Sequence, residues 1–456
     1  MITREQLARY RYEILGSLGA FAIFLWGMAY PIEDRFSGDV VEYFRASVTI
    51  HDPIQALTQI NERFANGFPS FLAFVRWTLT PFLPITLGTF VTVVCVTLFV
   101  FHLIAITFFL NTLFAWIKEK SSLEIWPSAK LLLYLYPALV LHTTVLLPDT
   151  PSADCLMLSF ALGLRGHWLR AGLALGCCGW LRFSYLPLLA VGGAVACIDG
   201  VLKWKRLRQS AAPLLLGLAL SIGAPLMNCA ASFGTVCLAD PNRVRADAEE
   251  GRRAGLITAR VRWSNVVPEG ADGGTKATPG VTDEFLKRNF ADTCGVSSLS
   301  CFAFRPLLLP VLVFKKAVAL HDNYYAQPYV ADSTPSWYRH LSRLFGSLSF
   351  VGLFACLPIA WAVWRKRYGW TLLLIALSPW MLLGTHAFFH IEPRYGLGAV
   401  AVCLVAGMVT ARHLVSAAAW HRNVGVVAFF VLVGLFYWQA GAWDQVDQVL
   451  RAAEER

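Results

Sequence analysis

Residues 83–117 read LPITLGTFVTVVCVTLFVFHLIAITFFLNTLFAWI and contain no Asp, Glu, Lys or Arg. A helix needs about 20 apolar residues to cross a bilayer, so this run can span a membrane and is too long for one upright helix. The whole chain has a similar character, since 56% of its 456 residues are hydrophobic and only 15% are charged. Soluble proteins average roughly a quarter charged residues, and a soluble globular enzyme is therefore not expected.

Apolar runs of this kind recur along the chain and predict an all-α polytopic membrane protein. The eleven predicted transmembrane helices are residues 14–31, 83–117, 129–147, 152–165, 168–182, 184–202, 211–231, 343–363, 369–389, 395–411 and 423–440. The first run lacks the small-residue cleavage site of a signal peptide, which indicates an uncleaved first helix. Gly172 and Gly176 in the fifth span have the spacing that lets two helices pack closely.

Basic residues are distributed unevenly between the two sides of these spans. Seventeen Lys and Arg residues fall on the side of the N-terminus and six on the opposite short and medium loops. Because Lys and Arg accumulate in cytoplasmic loops, we expect a cytoplasmic N-terminus, an outer C-terminus and a location in a bacterial inner membrane. The net charge of +10 then mainly reflects topology, and nucleic acid is not an expected partner.

The predicted spans divide the chain into three parts. Residues 1–231 form a transmembrane module with an outer loop at 32–82, residues 232–342 form a second outer segment, and residues 343–456 hold the last helices and a short tail.

The second outer segment contains three cysteines, Cys237, Cys294 and Cys301. Thiols pair in oxidising compartments, so we predict a disulfide among them, most simply Cys294–Cys301. The odd cysteine is then free or joined to Cys229.

Acidic residues cluster where the chain leaves the membrane on the outer side. PIEDRFSGDVVEYF (31–44) follows the first span and LLPDTPSAD (146–154) ends the third. The acidic residues are Glu33, Asp34, Asp39, Glu42, Asp149 and Asp154. Carboxylates at such a face can act as general bases or bind a cation, whereas a merely solvated acid does neither. Asp39 precedes a predicted helix, so capping that helix is its alternative role.

Two arginines lie on the same side, Arg182 in GWLRFSYLP (179–187) and Arg394 in FFHIEPRYGLG (388–398). The planar guanidinium group is suited to binding a lipid phosphate. The alternatives are internal ion pairs, of Arg182 with Asp149 or Asp154 and of Arg394 with Glu392. His321 and Asp322 in ALHDNYYAQPYV (319–330) form a further polar group, for which an interfacial anchor is the alternative.

These motifs, in this order, resemble the GT-C superfamily of integral membrane glycosyltransferases. GDVVEYF resembles the family's first-loop catalytic aspartate, LPDTPSAD its PD-type junction, LRFSYLP its Arg-Pro-like segment and EPRYGLG its E-x-RY turn. The resemblance covers residues 14–230 well and 343–415 loosely, whereas 232–342 shows none. Arg182 is followed by Phe rather than Pro, and the first loop has no clean DxD motif.

The resemblance implies a GT-C-like fold and an inverting transfer of a sugar from a polyprenyl-phosphate carrier to a glycan, lipid or protein acceptor at the outer face. The implied residues are Asp39, Asp149 and Asp154 for catalysis, Arg394, Arg182 and His390 for the donor phosphate, and Glu42, Tyr43, His321 and Asp322 for the acceptor. No cofactor is firmly implied and no metal site is predicted, although a divalent cation remains an option.

The competing interpretation is a transporter, a flippase or a polymerase of a lipid-linked glycan. Transporters typically carry broken helices and polar residues at mid-membrane in two related halves. The polar residues of this chain instead crowd one face, and no half-repeat is visible. This pattern favours a transferase over a transporter or a non-catalytic scaffold.

Overall fold

The computed structural model describes residues 4–36, 39–60, 65–82, 86–120, 125–202, 207–242, 308–322, 336–366, 370–386 and 396–454. Within these ranges every regular element is helical and no strand occurs. Five helices among the described residues are long and apolar enough to cross a membrane, namely Leu87–Glu119, Gln209–Phe233, His340–Arg365, Leu397–Ser416 and Ala419–Ala442. The chain is therefore a helical membrane protein, and the count of eleven spans stays a prediction.

The first part of the chain forms two long helices with four short ones between them. They are α1 (Arg4–Met28), α2 (Ile32–Arg35), α3 (Asp39–Val48), α4 (Pro53–Thr58), α5 (Gly67–Leu79) and α6 (Leu87–Lys120). Helix α6 contains most of the uncharged run as one unbroken helix of 34 residues. At 1.5 Å per residue it is roughly 51 Å long, well beyond the hydrocarbon core of about 30 Å, so it must tilt or project from the membrane.

The described residues in the middle of the chain form six further α-helices. They are α7 (Lys130–Tyr134), α8 (Pro137–Leu141), α9 (Asp149–Leu164), α10 (Trp168–Leu181), α11 (Leu186–Leu202) and α12 (Ala212–Phe233). The predicted span 129–147 is broken between α7 and α8, because Pro137 has no N–H to donate and disfavours helical geometry in the preceding residue. Tyr136 accordingly has an extended backbone, with φ −69° and ψ 107°.

Glycines allow α10 and α12 to pack closely. A Cβ atom at Gly172 would collide with the carbonyl of Leu214, and one at Gly176 would collide with the side chain of Ser221. Neither glycine can be enlarged without separating the two helices. The predicted helix-packing role of this glycine pair is confirmed.

The last part of the chain contains α13 (Leu308–His321), α14 (Ser336–Arg365), α15 (Trp370–His386), α16 (Leu397–Ser416) and α17 (Ala419–Glu454). Helix α13 falls in the segment predicted to be an outer loop, yet Ala317, Val318 and Leu320 are buried in the main hydrophobic core. The adjacent Lys315 and Lys316 interrupt its apolar run, which is why hydropathy did not indicate a packed helix there. Residues 243–307 and 323–335 lie outside the described residues.

The C-terminal end of α12 is tied to the chain that follows it by a disulfide. Cys229 pairs with Cys237, and their Cα atoms are 5.4 Å apart. The odd cysteine was expected to be free or joined to Cys229, and the structure contains the second alternative for Cys237. Cys294 and Cys301 lie outside the described residues, so their disulfide stays a prediction.

Candidate functional site

One end of the helical bundle brings three of the sequence motifs together around a shared apolar cluster. Val40 and Tyr43 of α3 pack into this cluster with Leu147, which precedes α9, and Leu181, which ends α10. The motifs GDVVEYF, LPDTPSAD and LRFSYLP are therefore neighbours, although they are far apart in sequence. We call the region around these four residues the site end.

Helix α3 is anchored by its aromatic side chains and carries acidic residues in its first turn. The ring of Tyr43 lies edge-on against Phe68 of α5, with the centroids 5.5 Å apart. Asp39 is the first residue of α3 and is exposed, and Glu42 in the same turn is partly buried. The carboxylate of Asp39 thus lies at the solvent-exposed start of α3.

Asp149 and Arg182 form an ion pair at the site end. Asp149 is the first residue of α9, where the helix dipole favours a negative charge, and its side chain is completely buried. Arg182 directly follows α10, and its side chain keeps 14% of its surface exposed. Of the two pairings considered for Arg182, the structure contains the one with Asp149. The second carboxylate oxygen of Asp149 has no hydrogen-bond donor among the described residues.

Asp154 lies deeper in the bundle, five residues further along α9, which places it roughly 7.5 Å from Asp149 along the helix axis. Its carboxylate is 2.7 Å from Nδ1 of His102, and both side chains are almost completely buried. The other carboxylate oxygen of Asp154 and Nε2 of His102 have no hydrogen-bond partner among the described residues. The arrangement therefore keeps Asp154 out of reach of a substrate at the surface.

His102 was not singled out from the sequence. It interrupts an otherwise uncharged apolar run, and an ionisable residue inside a membrane segment is a functional or structural signal in its own right. This signal could have identified His102, but its partner Asp154 is 52 positions away and could not be read from spacing.

Arg35 is a second residue that sequence reasoning missed. Its guanidinium group donates hydrogen bonds to the backbone carbonyls of Tyr30, at 3.2 Å, and of Thr144, at 3.3 Å. The side chain is only 7% exposed, although the sequence places it in an outer loop. Arg35 thus joins the start of the segment 32–82 to the chain that leads into α9.

The start of α16 also reaches the site end. A Cβ atom at Gly398 would collide with the Tyr185 hydroxyl, and one at Gly396 would collide with Leu320 of α13. Tyr185 belongs to the same LRFSYLP motif as Arg182. The end of the EPRYGLG motif therefore lies beside LRFSYLP, while Arg394 and His390 themselves lie outside the described residues.

His321 and Asp322 occupy the interior rather than the surface. Nδ1 of His321 is 2.9 Å from the hydroxyl of Ser349 in α14. A carboxylate oxygen of Asp322 is 3.6 Å from Nε of Arg343, also in α14. Both residues are at most 2% exposed, so they hold the end of α13 against α14.

The described residues contain no group of three or more His, Cys, Asp or Glu side chains arranged to hold a metal ion. Asp149 and Asp154, the carboxylates considered for a cation, are buried and already engaged with Arg182 and His102. These residues do not fit a divalent cation, and we derive no step through one.

Comparison of the chain with protein-family models, with curated proteins and with solved structures finds no match. Its function must therefore be inferred from the residues themselves.

Proposed function

We propose that the protein is a membrane glycosyltransferase that moves a sugar from a polyprenyl-phosphate carrier to an acceptor at the outer face of a bacterial inner membrane. The observation that carries this proposal is the convergence of an exposed acidic helix turn with a partly exposed arginine at one end of the bundle. The motifs involved are those in which the chain resembles the GT-C superfamily, and we propose a fold of that type with about eleven spans.

The reaction needs a base for the acceptor and a positive group for the phosphate that leaves. In an inverting displacement the acceptor hydroxyl oxygen bonds to the anomeric carbon while the bond from that carbon to the phosphate oxygen breaks. Asp39 takes the hydroxyl proton, and the carrier departs as polyprenyl phosphate with its bonding electron pair. General bases of this kind typically contribute about 10²–10⁴-fold in rate.

Arg182 is suited to meet the charge that develops on the phosphate. A guanidinium group has five N–H donors, and the Arg182 side chain keeps part of its surface exposed beside its pairing with Asp149. Donors placed in advance where charge develops stabilise the transition state. Asp149 then orients Arg182 from within the bundle. Arg394 and His390, in the motif that leads into α16, are proposed as further phosphate-binding residues.

The acceptor is proposed to lie along the exposed turn of α3, next to Glu42 and Tyr43. The near-complete burial of His321 and Asp322 supports a positioning role for them, behind the site, rather than direct contact with the acceptor. Asp154 likewise supports the site from within the bundle, through its hydrogen bond to His102.

The test is transfer by the purified full-length protein in proteoliposomes. A panel of labelled polyprenyl-phosphate sugars is supplied with glycan, lipid and protein acceptor fractions, and release of polyprenyl phosphate and labelling of the acceptor are measured together. We expect at least one donor to give both products in equal amounts. Failure of every donor and acceptor combination, with a correctly folded protein, would contradict the proposal.

One observation favours the second candidate, a transporter of a lipid-linked substrate. The His102–Asp154 pair is a buried ionisable pair between two membrane helices, and such pairs often belong to proton relays. A proton-coupled transporter in sealed vesicles would move protons when the lipid-linked substrate is added, without consuming it. The transferase proposal expects donor consumption and no proton movement.

A further inference from the structure

A groove lies between helices α6, α14, α15 and α16. Among the described residues, only apolar side chains line it. Its walls include Leu113 and Ile117 of α6, Ile359 of α14, Ile375 of α15, and Val405 and Val409 of α16. The groove is a shallow, open cleft with a cavity volume of about 40 Å³. Such a space is suited to a hydrocarbon chain, because water would find no hydrogen-bond partners there.

The groove lies at the end of the bundle opposite the site end. Ile117 is 30 residues from the start of α6, which corresponds to roughly 45 Å along the helix. Tyr338 of α14 lies 5.1 Å from the ring of Trp26, at the end of α1 that packs into the site-end cluster. Ile359 is 21 residues beyond Tyr338, roughly 32 Å further from the site end. The groove is therefore separate from the proposed sugar-transfer site.

Helix α14 packs tightly against α16 next to the groove. Gly352 lets α14 approach so closely that a Cβ atom would collide with the carbonyl of Cys403 in α16. Pro358 follows less than two turns later within α14, and Pro379 lies within α15. A proline inside a helix removes a backbone hydrogen bond. The close contact at Gly352 thus lies on the site side of Pro358, and the groove residue Ile359 lies beyond it.

Positive charges border the groove where its helices end. Arg412 comes three residues after Val409 on α16, so it continues the lining face by one turn. Its guanidinium lies 5.6 Å from the ring of Trp126. Lys366 comes seven residues after Ile359, directly after the end of α14, and is exposed. Glu119 at the end of α6 offsets only part of this charge.

We propose that the groove binds an acyl chain of an anionic phospholipid, in the leaflet opposite the sugar-transfer site, with the lipid phosphate against Arg412 and Lys366. The apolar groove matches the acyl chain of such a lipid, and the basic residues at its end match the anionic headgroup. Trp126 marks the level of the headgroups, where aromatic rings commonly lie. The site does not depend on the proposed transferase activity.

The test uses phosphatidylglycerol and phosphatidylcholine with the delipidated full-length protein in detergent, and counts retained lipids by native mass spectrometry. We expect the wild type to retain phosphatidylglycerol in preference. Ala406→Phe fills the groove and should lower retention about tenfold, because every lost methylene contact weakens binding several-fold. The matched control is Ala428→Phe, on an exposed face of α17, which should behave as wild type.

Arg412→Gln should abolish the preference for phosphatidylglycerol while some lipid is still retained. Equal retention of the two lipids by the wild type, or unchanged retention in folded Ala406→Phe, would overturn the proposal. A phosphatidylglycerol with a photoreactive acyl chain provides a test on the unmodified protein, should Ala406→Phe not fold. Crosslinks are expected to α15 and α16 at the groove, and their absence from both helices would contradict binding there.

Discussion

Arg182 and Asp149 form an ion pair that joins the residue after α10 to the first residue of α9. The two residues come from two motifs, 33 positions apart, which the sequence could only propose to be neighbours. Asp149 is fully buried and Arg182 partly exposed, so the pair has an inner member that orients and an outer member that can contact a ligand.

Replacing Arg182 by Ala should destabilise the protein, because Asp149 would remain buried without its counter-charge. Breaking a buried ion pair typically lowers the free energy of unfolding by about 3–5 kcal/mol. Because Arg182 is partly exposed, we expect a loss of about 3 kcal/mol or less. The measurement is the thermal midpoint of unfolding in detergent. Arg45→Ala, at an exposed position of α3, is the control.

The double variant Asp149→Asn/Arg182→Gln should recover most of that stability, since it removes both charges, yet it should remain inactive in sugar transfer. An unchanged thermal midpoint for Arg182→Ala would mean that the pair contributes little to folding.

His102→Leu should destabilise the protein more than Asp154→Asn does. The first change leaves the buried Asp154 carboxylate without its partner, whereas the Asn side chain can still hydrogen bond to the imidazole. An unsatisfied buried polar group typically costs about 1–3 kcal/mol, and more when it is charged. Unfolding in detergent measures both variants. A loss for Asp154→Asn as large as that for His102→Leu would contradict this expectation, because it would mean that the retained hydrogen bond contributes little to stability.

Arg35→Gln should lower kcat for sugar transfer while the KM for the donor changes little. The substitution weakens the link from the loop that leads to Asp39 to the Thr144 carbonyl. Hydrogen bonds from a charged donor are worth about 1.5–3 kcal/mol, and their loss lets the base move. Arg35→Lys should restore part of the rate. A selective rise in KM would instead place Arg35 in donor binding.

Sequence reasoning identified most of the helices because apolar runs are a local property. The run 83–117 became α6, and the Gly172–Gly176 spacing correctly indicated close packing of α10. The break at Pro137 also follows from local chemistry, since proline restricts the residue before it. What composition did not reveal is α13, whose two adjacent lysines conceal a helix that packs in the core.

The candidate site was predictable only in part, because its pairings are long-range. Asp39, Asp149 and Arg182 could be proposed from their motifs. The pairing of Asp154 with His102 and that of Arg35 with the Thr144 carbonyl could not, since these partners lie 52 and 109 positions away and depend on how the helices pack. Burial also distinguishes two aspartates that the sequence could not tell apart, because Asp39 is exposed whereas Asp154 is buried.

The topology makes an independent prediction. With a cytoplasmic N-terminus and eleven spans, the C-terminus should lie on the outer side, together with the proposed site. A reporter enzyme that works only in the cytoplasm, fused after Arg456, should therefore be silent, and a periplasmic reporter at the same position should be active. Cytoplasmic activity would require an even number of spans.

The central claim is that Asp39 is the base for sugar transfer. Its exposed position at the start of α3 means that Asp39→Asn should fold normally, and Asn serves helix starts nearly as well as Asp. A carboxamide cannot accept the acceptor's proton, so turnover should fall at least ~100-fold while donor binding persists. The matched control is Asp34→Asn, five residues upstream, which should cost far less.

The most direct measurement is therefore donor-saturated turnover of Asp39→Asn in proteoliposomes, beside wild type and Asp34→Asn. The account predicts normal expression, normal donor binding and a loss of at least ~100-fold for Asp39→Asn alone. Turnover of Asp39→Asn within a few fold of wild type would contradict the account and leave Asp39 with a structural role at the start of α3. A large loss for Asp34→Asn instead would move the base to Asp34.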